Sequence, residues 1–349
     1  MSSQLVLVTG VSGYLGSHVV DQLVAQGYRV RGTVRSAKVP ANKEAFAVYG
    51  DAVEIIGMDD LVHGEYPDAF VGVDAVIHVA APLAGRVATA EEALDVAIDG
   101  SLNVFRQAEK AGIRTFSYAS SIVAHSVGFL EGDFTMLTGD EWLPITKEDV
   151  LNDKAASPFL VYKAEKVLSE RAVWEFADQH PHIELTTVNP PFFYGPFAPG
   201  YKAPFQSPTA SVASLSSMSM PMLYTLLHPH PADDASPSPC LVDVRDVARA
   251  LVAALSAPPT PLPAEIAQFL VAHRPELAGR LNEKFKSTHI PGLKEVVDGR
   301  RLKEVLGLEV VPWRKTILDG VDALVELERV WKERGVTYAR ESDRIRVVG

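Results

Sequence analysis

The stretch Leu5-Val6-Leu7-Val8-Thr9-Gly10-Val11-Ser12-Gly13-Tyr14-Leu15-Gly16 decides the fold. Its first four residues are an unbroken apolar run, as in a strand covered on both faces. A helical pattern follows over Tyr14–Gln26 and closes at Gly27. Three glycines occupy the turn between them, each for a different reason. Gly10 permits a tight strand-to-helix turn, Gly13 leaves room for a pyrophosphate against the backbone, and Gly16 lets the helix lie close to the sheet. The free amides of the first helical turn, at Tyr14 and Leu15 among others, then face the phosphates at the positive end of the helix. A glycine triplet alone is weak evidence. Placed between a strand and a helix, it points to a dinucleotide.

Outward from this turn the pattern repeats. Leu5–Val8, Tyr28–Thr33, Val53–Ile56, Ala75–Val79, Thr115–Tyr118 and Ile183–Val188 read as strands. Tyr14–Gln26, Glu91–Lys110 and Pro158–Gln179 read as helices, the last opened by a serine cap at Ser157 before a proline. Strand–helix alternation of this kind predicts an α/β Rossmann-type fold with a doubly wound parallel sheet and a smaller C-terminal α/β substrate-binding part. The texture changes after Asn189: residues 190–263 hold 15 of the 24 prolines, which predicts mostly loop or lid. One helical piece, Val212–Leu227, interrupts it. Regularity returns with a strand at Leu241–Val244 and a helix at Arg245–Leu255, then helices around Pro275–Phe285, Gly299–Leu306 and Thr316–Arg334. The expected division is a nucleotide-binding domain over 1–190, joined by about 241–256, and a substrate-binding part over 191–349 with a lid at 197–240. The acidic stretch Glu131–Asp153 reads as a solvated surface loop.

Composition narrows the class. The 349 residues carry a formal charge of −11, and no segment has the basic excess that a nucleic acid demands. Cys240 is the single cysteine, so no intramolecular disulfide or cysteine metal cluster is available, and a reducing compartment is expected. The ten histidines show no metal-ligand spacing, so no metal is expected. The start of the chain lacks a signal-peptide pattern, and no apolar run reaches the length of a membrane span. These exclusions predict a soluble cytoplasmic protein, monomer or homodimer, acting on a small molecule.

The end of the second strand selects the dinucleotide. An acid there, about 20 residues past the glycines, would hold the 2′-hydroxyl of NAD. No Asp or Glu occurs between Asp21 and Glu44; Arg35 stands 19 residues after Gly16, with Lys38 and Lys43 close behind. A guanidinium grips a 2′-phosphate through paired hydrogen bonds, so NADP(H) is the expected cofactor.

Tyr162 and Lys166 lie four apart in a helical stretch and share one face. The pair Ser120-Ser121 falls at the carboxyl end of a predicted strand, where open α/β sheets bind ligands. A tyrosine pKa of about 10 is too high for easy proton exchange, and a neighbouring ammonium and an oxidised nicotinamide both lower it.

These residues resemble the extended short-chain dehydrogenase/reductase superfamily. The segments Arg31–Arg35, Asp60-Leu61, His78–Ala81, Asp99–Val104, Pro190–Pro196 and Val242–Ala248 narrow the likeness to its dihydroflavonol reductase, cinnamoyl-CoA reductase and fungal aldehyde or methylglyoxal reductase branch. The resemblance spans residues 5–250 and continues more loosely to Leu308. It implies that Asp60 and Leu61 flank the adenine and that Val79, Ala80 and Ala81 line the pyrophosphate. It also implies that Lys166 holds the nicotinamide ribose, and that Pro190–Phe193 pass beside the nicotinamide. Ser121 aligns with the family serine, with Ser120 as the fallback. Ser126 stands where dihydroflavonol reductases place an asparagine, and the long cinnamoyl-CoA reductase signature around the tyrosine is missing. Both departures favour a general carbonyl reductase. His78 reads as a buried, satisfied histidine, and Asn103, Asp243, Arg245 and Asp246 read as helix or turn structure.

The expected reaction is hydride transfer from NADPH to a carbonyl, with Tyr162 as proton donor, Lys166 as its partner and Ser121 bonded to the carbonyl oxygen. Ser126, Phe192, Phe197 and Met218 are the candidate pocket residues. The alternatives are an NAD(P)-dependent epimerase or hydroxysteroid-type dehydrogenase, and a non-catalytic NADP sensor.

Overall fold

The computed structural model describes residues 4–82, 89–126, 142–153, 156–202, 219–227, 240–255, 273–276, 311 and 313–334. Six parallel strands make the main sheet: β1 (Leu5–Thr9), β2 (Arg29–Val34), β3 (Val53–Gly57), β4 (Ala75–His78), β5 (Thr115–Ala119) and β6 (Glu184–Val188). Their order across the sheet is β3-β2-β1-β4-β5-β6. The chain reverses its winding between β1 and β4, which opens a crevice at the carboxyl ends of these two strands. Thr9 and His78 are register partners there.

The unbroken apolar character of β1 has a direct cause. Leu5 and Leu7 pack with Val104 and Phe105 of α3 (Ala90–Lys110) and with Val173 and Phe176 of α5 (Pro158–Gln179). Val6 and Val8 point the other way, into a core with Val19, Val20 and Leu23 of α1 (Tyr14–Ala25). Both faces of the strand are dry, which makes Leu5–Val8 an apolar run and leaves the one polar residue, Thr9, to find hydrogen-bond partners at the strand's end. α3 starts at Thr89, whose hydroxyl accepts the amide of Glu92, and α5 starts at Ser157, which accepts the amide of Leu160.

Two short elements complete the nucleotide-side half: α2 (Val39–Ala45) and α4 (Lys147–Leu151). α4 corrects the expectation of a plain acidic loop. Thr146 and Asp149 form a reciprocal capping box, and Val150 is buried beneath the helix.

The proline-rich half departs further from the expected loop. β7 (Phe192–Tyr194) pairs in parallel with β8 (Leu241–Asp243) in a two-stranded sheet. Of the expected Val212–Leu227 helix, residues 219–227 are described: α6 spans Ser219–Tyr224, and 225–227 form a turn. α7 (Val244–Ala253) packs on α1, and α8 (Trp313–Glu333) packs against α6 and β8. Asp243 caps α7 through the Arg245 amide at 2.7 Å and grips the Arg245 guanidinium, which also reaches Asp319 of α8 at 2.5 Å. Asp243 and Arg245 are therefore structural, as are Asp246, which accepts the Val311 amide, and Asn103, which holds the carbonyls of Leu61 and Gly64. The expected helices around 275–285 and 299–306 lie almost wholly outside the described residues. No helix among the described residues is long and apolar enough to cross a membrane.

Candidate active site

The glycine turn joins β1 to α1 with Gly10 at φ +72°, a conformation that suits glycine. A Cβ on Gly10 would stand 2.9 Å from the Ala80 backbone, and one on Gly16 only 2.2 Å from the Gly10 carbonyl. Both positions therefore exclude side chains by contact with their own fold. Gly13 differs: a Cβ there would approach only the Gly10 carbonyl, at 3.2 Å, and space lies beyond it. Gly13 is also the helix cap and offers no side chain to the first-turn amides of Tyr14, Leu15 and Gly16. The turn thus has the shape and the donors of a phosphate cradle. The residues present fit a dinucleotide.

Thr9 ties the two sides of the crevice. Its hydroxyl accepts the amides of Val79 and Ala80 at 3.0 and 3.1 Å, and lies 2.9 Å from Nδ1 of His78. With two donors on the oxygen, its own proton goes to His78. Burial pushes the His78 pKa down to about 3, with the Lys166 ammonium adding to the effect, so the ring is neutral. Nε2 of His78 faces Ser101 at 3.2 Å. His78 is a satisfied core histidine, as its sequence context suggested. Val79 and Ala80 are half-buried and Ala81 is exposed along the crevice.

Arg35 follows β2 directly and is exposed. The next residue, Ser36, donates its amide and hydroxyl to Asp59 at 2.7 and 2.5 Å. These bonds hold the Asp59 carboxyl below its ordinary range, with Arg35 contributing. An acid therefore does reach this corner, from the end of β3 rather than β2. Asp60, next along, spends one carboxylate oxygen on the amides of Val62 and His63, both at 2.9 Å. Leu61 is held against α3 at Gly100, where an added Cβ would lie 3.2 Å from its own.

The opposite side of the crevice carries the polar cluster. Tyr162, Lys166 and Glu170 recur at four-residue intervals on α5, and each meets a different residue at the end of β5. The Ser121 hydroxyl accepts the Val123 amide at 3.4 Å and acts on the Tyr162 phenol, whose pKa it lowers. Lys166 Nζ donates to the Ala119 carbonyl at 3.1 Å. Ser120 donates to Glu170 at 2.5 Å. The two serines expected as alternatives thus have different partners, and Ser121 is the one at the tyrosine. Lys166 is buried, and desolvation lowers its pKa while Glu165 and Glu170 oppose the shift.

Desolvation also raises the Tyr162 pKa, with Glu165 adding to the rise and the Ser121 hydroxyl opposing it. The lowering expected from the ammonium does not dominate in the protein alone, because burial costs the phenolate more.

The tyrosine packs against the cluster of Ile122, Val123 and Cys240, as Phe159 and Phe192 do. Phe193, on the other face of β7, stacks on Tyr14 with ring centroids 6.0 Å apart, and Phe197 meets the same ring edge-on at 6.2 Å. Tyr14 donates to the Gly195 carbonyl at 2.7 Å, which joins the glycine-turn helix to β7. Pro190 is buried, and its carbonyl accepts the Ile122 amide at 3.0 Å. Ser126 is half-buried after the turn that follows Ser121. Met218 lies outside the described residues. Among those residues no cluster of three or more His, Cys, Asp or Glu side chains could hold a metal.

The sequence reading missed Glu170, His125, Asn189 and the packing of Cys240 on Tyr162. For Glu170 a signal existed: it continues the Tyr162–Lys166 spacing by one more turn.

The chain is similar to known proteins. The chain is 34% identical over 199 residues to aldehyde reductase 2 of Sporidiobolus salmonicolor, covering 55% of this chain and 58% of that protein. It is 35% identical over 192 residues to the ketoreductase adrE of Penicillium rubens, covering 53% and 55%. The chain thus spans a little over half the length of these curated relatives. The crystal structure of Gre2 from Candida albicans in complex with NADPH is 25% identical, with a TM-score of 0.74, over 93% of this chain and 99% of that one. The model of the NAD dependent epimerase/dehydratase family matches residues 6–267, three quarters of the chain, and the protein belongs to that family.

Proposed function

We propose that the protein reduces aldehydes or activated ketones to alcohols with NADPH. One observation carries this reading: Ser121, Tyr162 and Lys166 converge at the end of β5, across the crevice from the glycine turn. The names of the reductase relatives and the NADPH complex of the Candida structure support it.

NADPH would be held by the amides of Tyr14, Leu15 and Gly16 over the bare backbone of Gly10 and Gly13, with Arg35 at the 2′-phosphate and Asp60 and Leu61 at the adenine. Val79, Ala80 and Ala81 would lie along the pyrophosphate, and Lys166, Pro190 and Phe193 at the nicotinamide end. When bound, the cofactor supplies the hydride. The chain's own residues do the rest. Ser121 donates a hydrogen bond to the carbonyl oxygen as it becomes negative, which favours the transition state over the ground state. Tyr162 gives its phenolic proton to that oxygen. Burial keeps the phenol protonated at neutral pH, the state a donor needs. Lys166 offsets the phenolate charge that remains.

Phe192, and Phe197 and Met218 in the flanking segment, would shape the substrate side, with Ser126 at its rim. Lys202 is the one basic residue between Arg171 and Arg245, so the segment lacks the cluster that coenzyme A phosphates need. The substrates are therefore neutral aldehydes, α-ketoesters or aryl ketones. The division into a nucleotide-binding domain (1–190 with 241–256) and a substrate part (191–349), and a cytoplasmic location, belong to the same reading.

Parallel assays of NADPH oxidation with an aromatic aldehyde, an α-ketoester and a cinnamoyl-CoA thioester test it. Turnover of the first two is expected, and activity confined to the thioester would overturn the substrate class. Conversion of a nucleotide sugar without net cofactor oxidation would favour the epimerase alternative.

A further inference from the structure

Glu170 lies one helical turn beyond Lys166 and is 1% exposed. A carboxylate so deep requires partners, and it draws them from three separate segments. One oxygen accepts the Ser120 hydroxyl at 2.5 Å and the Asn189 side-chain amide at 2.7 Å. The other stands 3.4 Å from Nε2 of His125. These bonds outweigh the cost of burial and hold the carboxyl below the ordinary glutamate range. Asn189 lies one residue past β6, and its amide also reaches the Ser121 carbonyl at 3.4 Å. Nε2 of His125 is 3.0 Å from the same amide nitrogen, and its ring stacks on Trp142. The ends of β5 and β6 and the turn after Ser121 therefore meet at one side chain.

What this junction controls is the direction of Ser121. Its backbone is extended, at φ −160° and ψ 152°, and neighbouring side chains in an extended chain diverge. With the Ser120 hydroxyl drawn to Glu170, the next hydroxyl is presented elsewhere, at the start of the turn whose Ile122 and Val123 form the cluster that Tyr162 packs against. We propose that Glu170 is a positioning residue for proton transfer: by anchoring Ser120, Asn189 and His125, it sets the end of β5 so that Ser121 faces Tyr162. Its kinetic readout rests on the reductase reading given above.

The test is a double-mutant cycle between Glu170 and Ser121, read as kcat on an aldehyde and as NADPH affinity by fluorescence. Glu170→Ala should lower kcat by about 10- to 100-fold while NADPH affinity stays within about threefold of wild type. Glu170→Gln should recover most of the rate, because its carbonyl oxygen can still accept from Ser120 and Asn189. In a Ser121→Ala background, Glu170→Ala should cost little more, since the two act as one unit. Additive losses would overturn the proposal, as would a Glu170→Gln enzyme as slow as Glu170→Ala. If Glu170→Ala does not fold, Asn189→Ala takes its place in the cycle with the same expectation. If the wild type reduces no carbonyl, the reaction reading has failed, and a crystal structure of Glu170→Ala decides the positioning claim. Ser121 moved away from Tyr162 supports it; an unchanged contact overturns it.

Discussion

The Ser120 hydroxyl donates to Glu170 at 2.5 Å, which commits the one proton of this serine to the interior of the fold. Its neighbour Ser121 acts on Tyr162 instead, lowering the phenol's pKa against the rise from burial. Ser121→Ala should therefore lower kcat by about 10²- to 10³-fold, as removal of an oxyanion donor does. Ser120→Ala should cost less than about tenfold. Steady-state assays of the two variants on one aldehyde check this, and the reverse ranking would reassign the catalytic serine.

Tyr162→Phe removes the proposed proton donor and leaves the ring packed against the Ile122, Val123 and Cys240 cluster. Turnover should fall by about 10²- to 10⁴-fold with NADPH affinity nearly unchanged. Fluorescence titration beside the rate assay separates the two effects. A variant that keeps most of its activity would exclude the phenol as donor.

Arg35 is exposed at the end of β2, where a 2′-phosphate would lie in this fold. Arg35→Ala should reduce the preference for NADPH over NADH by about 1.5–3 kcal/mol in kcat/KM, the worth of a hydrogen bond to a charged group. Asp59, ionised nearby through its bonds to Ser36, would oppose a phosphate left without its arginine. Equal use of both cofactors by the wild type would remove this role from Arg35.

Burial raises the Glu165 pKa from 4.5 to about 7, and one of its carboxylate oxygens has no partner. Between those values the unfolded chain releases this proton while the folded one keeps it. Stability contributed by Glu165 is thus present below about pH 4.5 and is lost as pH rises toward 7. Glu165→Gln, which has no proton to lose, should gain on the wild type across that window. Urea unfolding at pH 4.5 and pH 8 measures the gap, which should be larger at pH 8. A gap of equal size at both values would show that the carboxyl ionises normally.

Most of the sheet was legible in the sequence because β1 and β4 are buried on both faces and read as unbroken apolar runs, and because α3 and α5 are marked by capping residues at their starts. α5 begins after Ser157 and runs over the predicted Pro158–Gln179, since the serine cap and the proline at the first helical position are local signals. β7 was not legible. Three residues carry no periodicity, and its partner β8 lies 47 residues away from it in the chain. α4 was hidden by its charge, although Thr146 and Asp149 spell a capping box.

The candidate site divides in the same way. The amino-acid sequence alone determined the glycine turn, the Tyr162–Lys166 pair and the absence of an acid after β2, because each depends on residue type at short spacing. Which of two adjacent serines meets the tyrosine was decided by the tertiary structure. That choice depends on Glu170, Asn189 and His125, which come from separate segments and join only when β5 and β6 lie side by side. The arrival of Asp59 beside Ser36 is of the same kind, since it needs β3 to pair with β2. Local spacing records what one helix or turn can present. The direction in which a buried hydroxyl points is set by partners distant in sequence, and burial makes their hydrogen bonds obligatory.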